Sequence, residues 1–370
     1  MNGVSRKVAW FVGVASAVVL VTSALADAEV RYTITKIDTF GGDESMAISV
    51  NASGQVSGMA TDASGVEHAF LWDNGVMTDL HWDSNWVLSS GIDINCHAMV
   101  AGFAQIPPST KARLWDTSAH TVANLGVLSG GVASFGRGMN DDNVVVGVCY
   151  LDWGGVDPRP FVWTETGSIQ NLGSLGGTDG GAFAINNSNQ ITGWSTLDNG
   201  DQRVFLYHNL SWQDLGSFGG AECNGFNIND SGQVVGWADL DNGDSHAFFY
   251  SGSGPLQDMG TLGGPDSMAL GIDSSGGMVG WANIDNGDEH AFLYEDGVMQ
   301  DLNDLIAADS GWVLTFARDI NDSGWITGHG EFGGGTRGFV LVPIPEPATV
   351  GLFALTAAGL ALLRRRRRGA

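Results

Sequence analysis

The chain has 370 residues, of which 55 are Gly and only 9 Pro, with apolar residues at 43%, a balance that excludes collagen-like and low-complexity disordered chains and asks for a fold with many tight turns. Its formal charge is −25, and with Arg6, Lys7, the five C-terminal Arg and Glu346 set aside, 40 acids face nine bases between residues 27 and 343, a net −31. A field of that sign repels phosphate backbones and argues against DNA, RNA or an anionic membrane surface as partners of the folded part.

The N-terminus carries Arg6-Lys7, an apolar run from Val8 to Val21 and the small-residue site Ala24-Leu25-Ala26 before Asp27. This is the layout of a secretory signal peptide over residues 1–26, with Ala24 and Ala26 forming the cleavage site. A membrane anchor is the alternative, but the run is shorter than the ~20 residues a spanning helix needs.

Residues 27–343 repeat. A turn opening with Asn or Asp recurs at Asn51, Asn95, Asn140, Asn186, Asn229, Asp273 and Asn321, and a Gly follows each at a near-constant offset, at Gly58, Gly102, Gly147, Gly193, Gly236, Gly280 and Gly328. A period near 44 with many Gly turns lies in the propeller range. Each repeat holds four strand-like runs, clearest as MALGID, GGMVGWAN, HAFLYED and GVMQDLNDL in the sixth, separated by turn chemistry such as Asp285-Asn286-Gly287-Asp288 and Asp296-Gly297. The third run is apolar on both faces and so must be sandwiched between sheets. An orphan fourth strand, Tyr32 to Phe40, precedes the first repeat, and the seventh stops after its third strand at Leu341. The pattern predicts an all-β, seven-bladed propeller of four-stranded blades closed by the N-terminal strand, which leaves no open sheet edge.

At HAFLW, HAFFY and HAFLY, starting at His68, His246 and His290, with SGQVSG, SGQVVGWA and LGSLGG nearby, residues 32–341 resemble the HAF family of extracellular repeats. The resemblance brings no catalytic residue with it. The second repeat departs most, since Arg113 stands where the other six have Phe.

The His position reads Lys111, Arg159, Arg203 and Arg337 in the other blades, so every blade places a donor or cation there. Hairpin register sets it diagonal to Asp79, Asn124, Asn171, Asp214, Asp258 and Asp301 on the fourth strands, which predicts a side-chain pair in each blade rather than a ring of metal ligands. In the seventh blade the matching fourth-strand residue is Lys36, which does not fit.

Between second and third strands, Asp198-Asn199-Gly200-Asp201, Asp241-Asn242-Gly243-Asp244 and Asp285-Asn286-Gly287-Asp288 look like the start of calcium loops, with Asp239 adding a carboxylate to the middle one. Exposed hairpin turns select the same residues, and no Glu follows at EF-hand spacing, so a calcium site at Asp198, Asp201, Asp239, Asp241, Asp244, Asp285 and Asp288 stands beside a turn reading. These loops and the blade-to-blade connections emerge on one face, which gathers acids and would suit a cation-bridged polysaccharide, a cationic partner or simple solvation. Periodic Trp residues read as blade core, as do Trp86 and Trp312 from their shared offset. Trp82, Trp153, Trp212 and Trp325 break the repeat and are candidates for sugar stacking. The three Cys, Cys96, Cys149 and Cys223, allow one disulfide at most.

The C-terminus reads Pro345-Glu346-Pro347, then an uncharged, mostly apolar run from Ala348 to Leu363, then Arg364, Arg365, Arg366, Arg367 and Arg368. Sixteen residues rise about 24 Å, enough to predict a transmembrane helix once the Arg side chains snorkel, with the tail inside and the domain outside. In motif, helix and Arg cluster, residues 344–370 resemble the PEP-CTERM sorting signal of Gram-negative bacteria. The resemblance implies export through the inner membrane, transient anchoring there, processing by an exosortase near the Pro-Glu-Pro motif, and a destination at the cell surface or outside the cell. An uncleaved tail anchor is the alternative.

Taken together, the expected function is that of a non-enzymatic surface or matrix interaction module engaging exopolysaccharide or another envelope component. A polysaccharide-active hydrolase or lyase and a purely structural matrix protein stand as alternatives, and no catalytic residue can be chosen from spacing.

Overall fold

The repeat begins at its turn. In this computed structural model, which describes residues 30–345, Asn51 folds back on its own turn and its Oδ1 accepts the amides of Ser53 and Gln55 at 3.0 Å. The same pair of bonds, to the second and fourth following amides, recurs at Asn95, Asn140, Asn186, Asn229, Asp273 and Asn321. A short side chain carrying an acceptor is what this turn needs, and Asn and Asp supply it.

Each turn joins the first two strands of a four-stranded antiparallel sheet, and seven such sheets follow one another. Blades 1 to 6 span residues 41–79, 88–126, 133–171, 180–216, 219–258 and 263–301. Blade 7 takes three strands from residues 312–343, and its fourth is the N-terminal strand Tyr32–Ile37, with Tyr32 opposite Pro343 and Ile37 opposite Gly338. The expected seven-bladed propeller and its closure are both present, and the ring has no unpaired terminal sheet. The signal peptide and all of the sorting tail beyond Pro345, including the expected transmembrane helix, lie outside the described residues. No helix among the described residues is long and apolar enough to cross a membrane.

One irregularity is shared by all seven blades. Four residues before the turn, the first strand breaks register with the second, a β-bulge between Ala47 and Ser49 in blade 1 and at the matching place in every other blade. The bulge pushes a carbonyl against the second strand, where a Cβ on Gly58, Gly102, Gly147, Gly193, Gly236, Gly280 or Gly328 would collide with it. That collision explains the periodic Gly. Opposite the Gly on the third strand stands the Phe of the HAF-like segment, as in Gly58 against Phe70 and Gly280 against Phe292. Six such Phe are fully buried, each adding about 1.5–3 kcal/mol to the core. In blade 2 Arg113 takes the place of Phe, and Trp86 makes up the aromatic surface, its ring 5.6 Å from the guanidinium and edge-on to Trp115.

Candidate functional site: the propeller lumen

The positions singled out from sequence are mostly parts of the scaffold. His68, His246 and His290 pair through Nδ1 with Asp79, Asp258 and Asp301 at 2.9, 2.8 and 2.5 Å, the predicted diagonal partners. The Arg blades do otherwise. Arg159 reaches Asp157 and Asp179, Arg203 pairs with Asp201, and Arg337 donates to the carbonyl of Asp43, because the longer guanidinium passes the strand and meets loop groups. The expected partners of Arg159 and Arg203, Asn171 and Asp214, accept the amides of Gly173 and Gly216, and Asn124, the expected partner of Lys111, accepts that of Gly126.

In the three Asp-Asn-Gly-Asp loops the Asn side chain both donates to and accepts from the closing Asp, at 2.7–3.0 Å in each loop. The opening residues Asp198, Asp241 and Asp285 press against Gly176, Gly219 and Gly263, where a Cβ would collide with the carboxylate and where φ of 122°, 100° and 113° also favours Gly. Asp239 accepts from Ser245 Oγ at 2.7 Å and from the amide of Glu222 at 3.1 Å. Among the described residues no group of three or more His, Cys, Asp or Glu is placed to hold a metal ion. The four irregular Trp stand on different blades. Trp82 donates to the carbonyl of Asp79 and lies 4.0 Å from the His120 ring, Trp212 packs on Phe205, Trp325 packs into the core beneath the turn of Gly54, and Trp153 is 64% exposed. Cys96, Cys149 and Cys223 are all free thiols.

At the centre of the ring is the lumen, a cavity of about 660 Å³ lined by first-strand residues of all seven blades. Because the bulge inserts a residue, Ile48, Ile92, Arg137, Phe183, Phe226, Leu270 and Arg318 all face into it as one ring. Below this bulge ring Val50, Ile94, Met139, Ile185, Ile228, Ile272 and Ile320 form an apolar collar. Beyond the collar lies the ring of turns. There the amide Nδ2 of Asn51 donates to the carbonyl of Asn95 at 3.0 Å, and the same bond links Asn95 to Asn140, Asn140 to Asn186, Asn186 to Asn229, Asn229 to Asp273 and Asn321 to Asn51, at 2.9–3.3 Å. Only Asp273, which has no amide, fails to pass the chain on.

One side of the lumen is charged. Ser49 Oγ lies 2.9 Å from both Asp93 Oδ1 and Asp319 Oδ2, and a hydroxyl has a single hydrogen, so one of these contacts requires a proton on a carboxyl group. Burial raises Asp93 to about 7, helped by the neighbouring Asp319, and burial raises Asp319 to about 6. The remaining lone pairs accept backbone amides: those of Ile94 and Met139 for Asp93, and those of Val50 and Ile320 for Asp319. This clasp ties together blades 7, 1, 2 and 3.

On the same side, Arg137 and Arg318 have no carboxylate and no hydrogen-bond acceptor among the described residues, and the Nε of each is buried without a partner. Their contacts are aromatic: Arg137 lies 5.7 and 5.6 Å from the rings of Phe135 and Phe183, and Arg318 lies 5.3 Å from Phe316. Burial lowers the pKa of both from the ordinary Arg value. His329, stacked on Phe316 at 4.8 Å, is pushed down to about 3 by burial and by Arg318. The opposite arc, from blades 4, 5 and 6, is Phe183, Phe226, Leu270, Met268 and Trp281.

Sequence reasoning missed these four charged residues. The signal was present as departures from the repeat: three residues before the turn five blades are apolar and two are Arg, and two before it five are small or neutral and two are Asp.

The molecule is thus a closed seven-bladed propeller whose distinctive chemistry lies in its lumen. Residues 343–368 match the PEP-CTERM protein-sorting motif. No curated protein matches the chain. Among solved structures it is similar to an oligogalacturonate lyase in complex with manganese, at 13% identity and a TM-score of 0.54, over 86% of this chain and 97% of that one. It is also similar to the acylaminoacyl peptidase of Pyrococcus horikoshii (11% identity, TM-score 0.51) and to a puromycin-hydrolyzing peptidase of Mycobacterium tuberculosis (14%, 0.50), over 79% and 82% of this chain. The chain spans 50% of the length of each peptidase, and at these identities the likeness is one of fold alone. The sorting motif implies an exported protein processed by an exosortase.

Proposed function

We propose that the protein is a non-enzymatic binding module of the cell surface or extracellular matrix that engages exopolysaccharide or another envelope component in the lumen of its propeller. The observation that carries this reading is the bulge ring, where an identical backbone device in every blade presents seven side chains to one cavity, two of them cations without partners. Unpaired buried charge costs stability and is retained where a ligand completes it. The sorting motif supplies the destination.

A second reading, a polysaccharide-active hydrolase or lyase, is favoured by the Asp93–Ser49–Asp319 group, since a carboxyl titrating near 7 suits acid–base work. Against it, Asp93 and Asp319 accept four backbone amides between them as well as Ser49, which is the bonding of a structural clasp.

Titration calorimetry of the exported, processed protein with the producing cell's own extracellular polysaccharide, in calcium-containing buffer, separates these readings. Saturable heat supports the binding module, and its loss on chelation assigns calcium to the Asp-Asn-Gly-Asp loops. Heat that continues after each injection means turnover and favours the enzyme. No heat from folded protein leaves the structural matrix role.

A further inference from the structure

We infer that the lumen takes a carboxylate-bearing sugar, a uronate, and that Arg137 and Arg318 are the residues that hold its carboxylate. The inference rests on the lumen being a binding site and adds the chemical class of its ligand. These two guanidiniums meet no carboxylate among the described residues, although Asp93 and Asp319 line the same cavity. Their Nε atoms are buried and orphaned, no acceptor among the described residues reaches either guanidinium, and both side chains line the cavity. Both guanidiniums lie over aromatic rings, Arg137 over Phe135 and Phe183 and Arg318 over Phe316, and the fork of an Arg matches a planar carboxylate.

The rest of the lumen suits a sugar ring. Its volume of about 660 Å³ lies inside the range of roughly 300–1,000 Å³ usual for small-molecule sites. Phe226 and Trp281 add aromatic surface to the apolar arc of the lining. Asn227 also lines the cavity, with Oδ1 accepting the amide of Ile228 and its Nδ2 without a partner among the described residues, a donor free for a hydroxyl.

The test uses the exported, processed protein, with galacturonate, galactose and trigalacturonate titrated separately and the native polysaccharide as a fourth arm. Galacturonate is expected to bind at least tenfold more tightly than galactose, and Arg137→Met and Arg318→Met are each expected to weaken it tenfold or more, as loss of a charge-assisted pair does. Both variants are expected to unfold at higher urea than the parent, because an unpaired buried charge has been removed, a shift opposite to that of losing a structural Arg. Arg137→Lys and Arg318→Lys keep the charge and serve as folded controls of intermediate affinity. Tighter binding of trigalacturonate than of galacturonate assigns a chain end as the source, and equal binding assigns the free acid. Equal affinity for galactose and galacturonate, or a lower urea midpoint in the Met variants, overturns the assignment. Failure of galacturonate and trigalacturonate while the native polysaccharide still binds overturns the carboxylate assignment and leaves the binding module standing, whereas failure of all arms overturns both.

Discussion

Each first strand contributes to two rings only three residues apart, and the rings obey opposite rules. At the turn the residue is Asn in six blades of seven, and every one of those amides is bonded to the next blade. At the bulge the backbone is as uniform, yet the side chains run from Ile48 and Phe183 to Arg137 and Arg318, and the two cations are unpaired. The difference follows from what each ring touches. A turn residue meets its neighbour across an interface repeated around the ring, so the same side chain is wanted each time. A bulge residue faces a cavity shared by all seven blades instead of a repeated interface, so no neighbour calls for the same side chain each time. In a closed repeat protein, function is therefore to be sought where geometry repeats and chemistry does not.

The most severe way to break this comparison is to remove the device common to both rings. Gly280→Val puts a Cβ against the carbonyl of Met268 and the ring of Phe292. The bulge and the Phe cannot both stay, and the expected loss is about 3 kcal/mol or more of unfolding free energy, read as a lower urea midpoint. A loss below about 1 kcal/mol would show that the bulge does not depend on Gly.

The turn ring was legible in the sequence because it repeats, and so were the blade count, the strand that closes the ring and the His–Asp pairs of three blades. The bulge ring was not. Alternation along a run such as FGRGMN or FARDIN does put Arg137 with Met139, and Arg318 with Phe316 and Ile320, on one face, but it does not say which face meets a cavity, and in FARDIN the bulge brings Asp319 to the lumen as well. Arg113 shows a related limit. Its burial in a Phe position depends on Trp86, twenty-seven residues away in sequence and outside the repeat pattern. The Arg–loop pairs of blades 3 and 4 were hidden for a third reason, since strand register does not fix how far a guanidinium reaches.

A milder perturbation sets the clasp beneath the bulge ring against the buried His329. Asp93 and Asp319 titrate at about 7 and about 6, against about 3.9 for an unfolded Asp. Between those values the folded protein keeps protons that the unfolded chain has released, so the stability they contribute is fully present below about pH 4 and is lost as pH rises through 6 to 7. His329, at about 3 when folded against about 6.5 unfolded, works the other way, and its contribution fades as pH falls from 6.5 toward 3. Asp93→Asn should therefore gain on the parent by about 1–3 kcal/mol between pH 5 and pH 8, less than full linkage because the carboxyl is partly open to the lumen. Urea midpoints of both proteins at the two pH values give the number. A difference that stays constant with pH would mean that Ser49 bridges two carboxylates that share no proton.

The gentlest change would complete the turn ring. Asp273 makes both bonds to its own turn but has no side-chain amide to send to blade 7, so this junction alone lacks the amide bond of the ring, although the backbone amide of Ser274 donates to Asp322 Oδ1 across it at 2.8 Å. Other contacts hold it. The short 3-10 helix Leu302–Leu305 puts Asn303 astride the first strand of blade 7, bonded to the amide and the carbonyl of Leu314 at 2.7 and 3.0 Å, and Leu302, Leu305 and Leu314 share one core cluster with residues of blade 6. Asp273→Asn keeps the acceptor that folds the turn and adds the missing donor. With the junction already secured, the expected gain is about 0.5–1.5 kcal/mol, one net hydrogen bond, seen as a small rise in urea midpoint. Asp273→Ala should lose the turn bonds and fall below the parent. If the Asn variant is no more stable than the parent while the Ala variant falls, the turn residue acts on its own blade alone, and the closed circle of amides is not what holds neighbouring blades together.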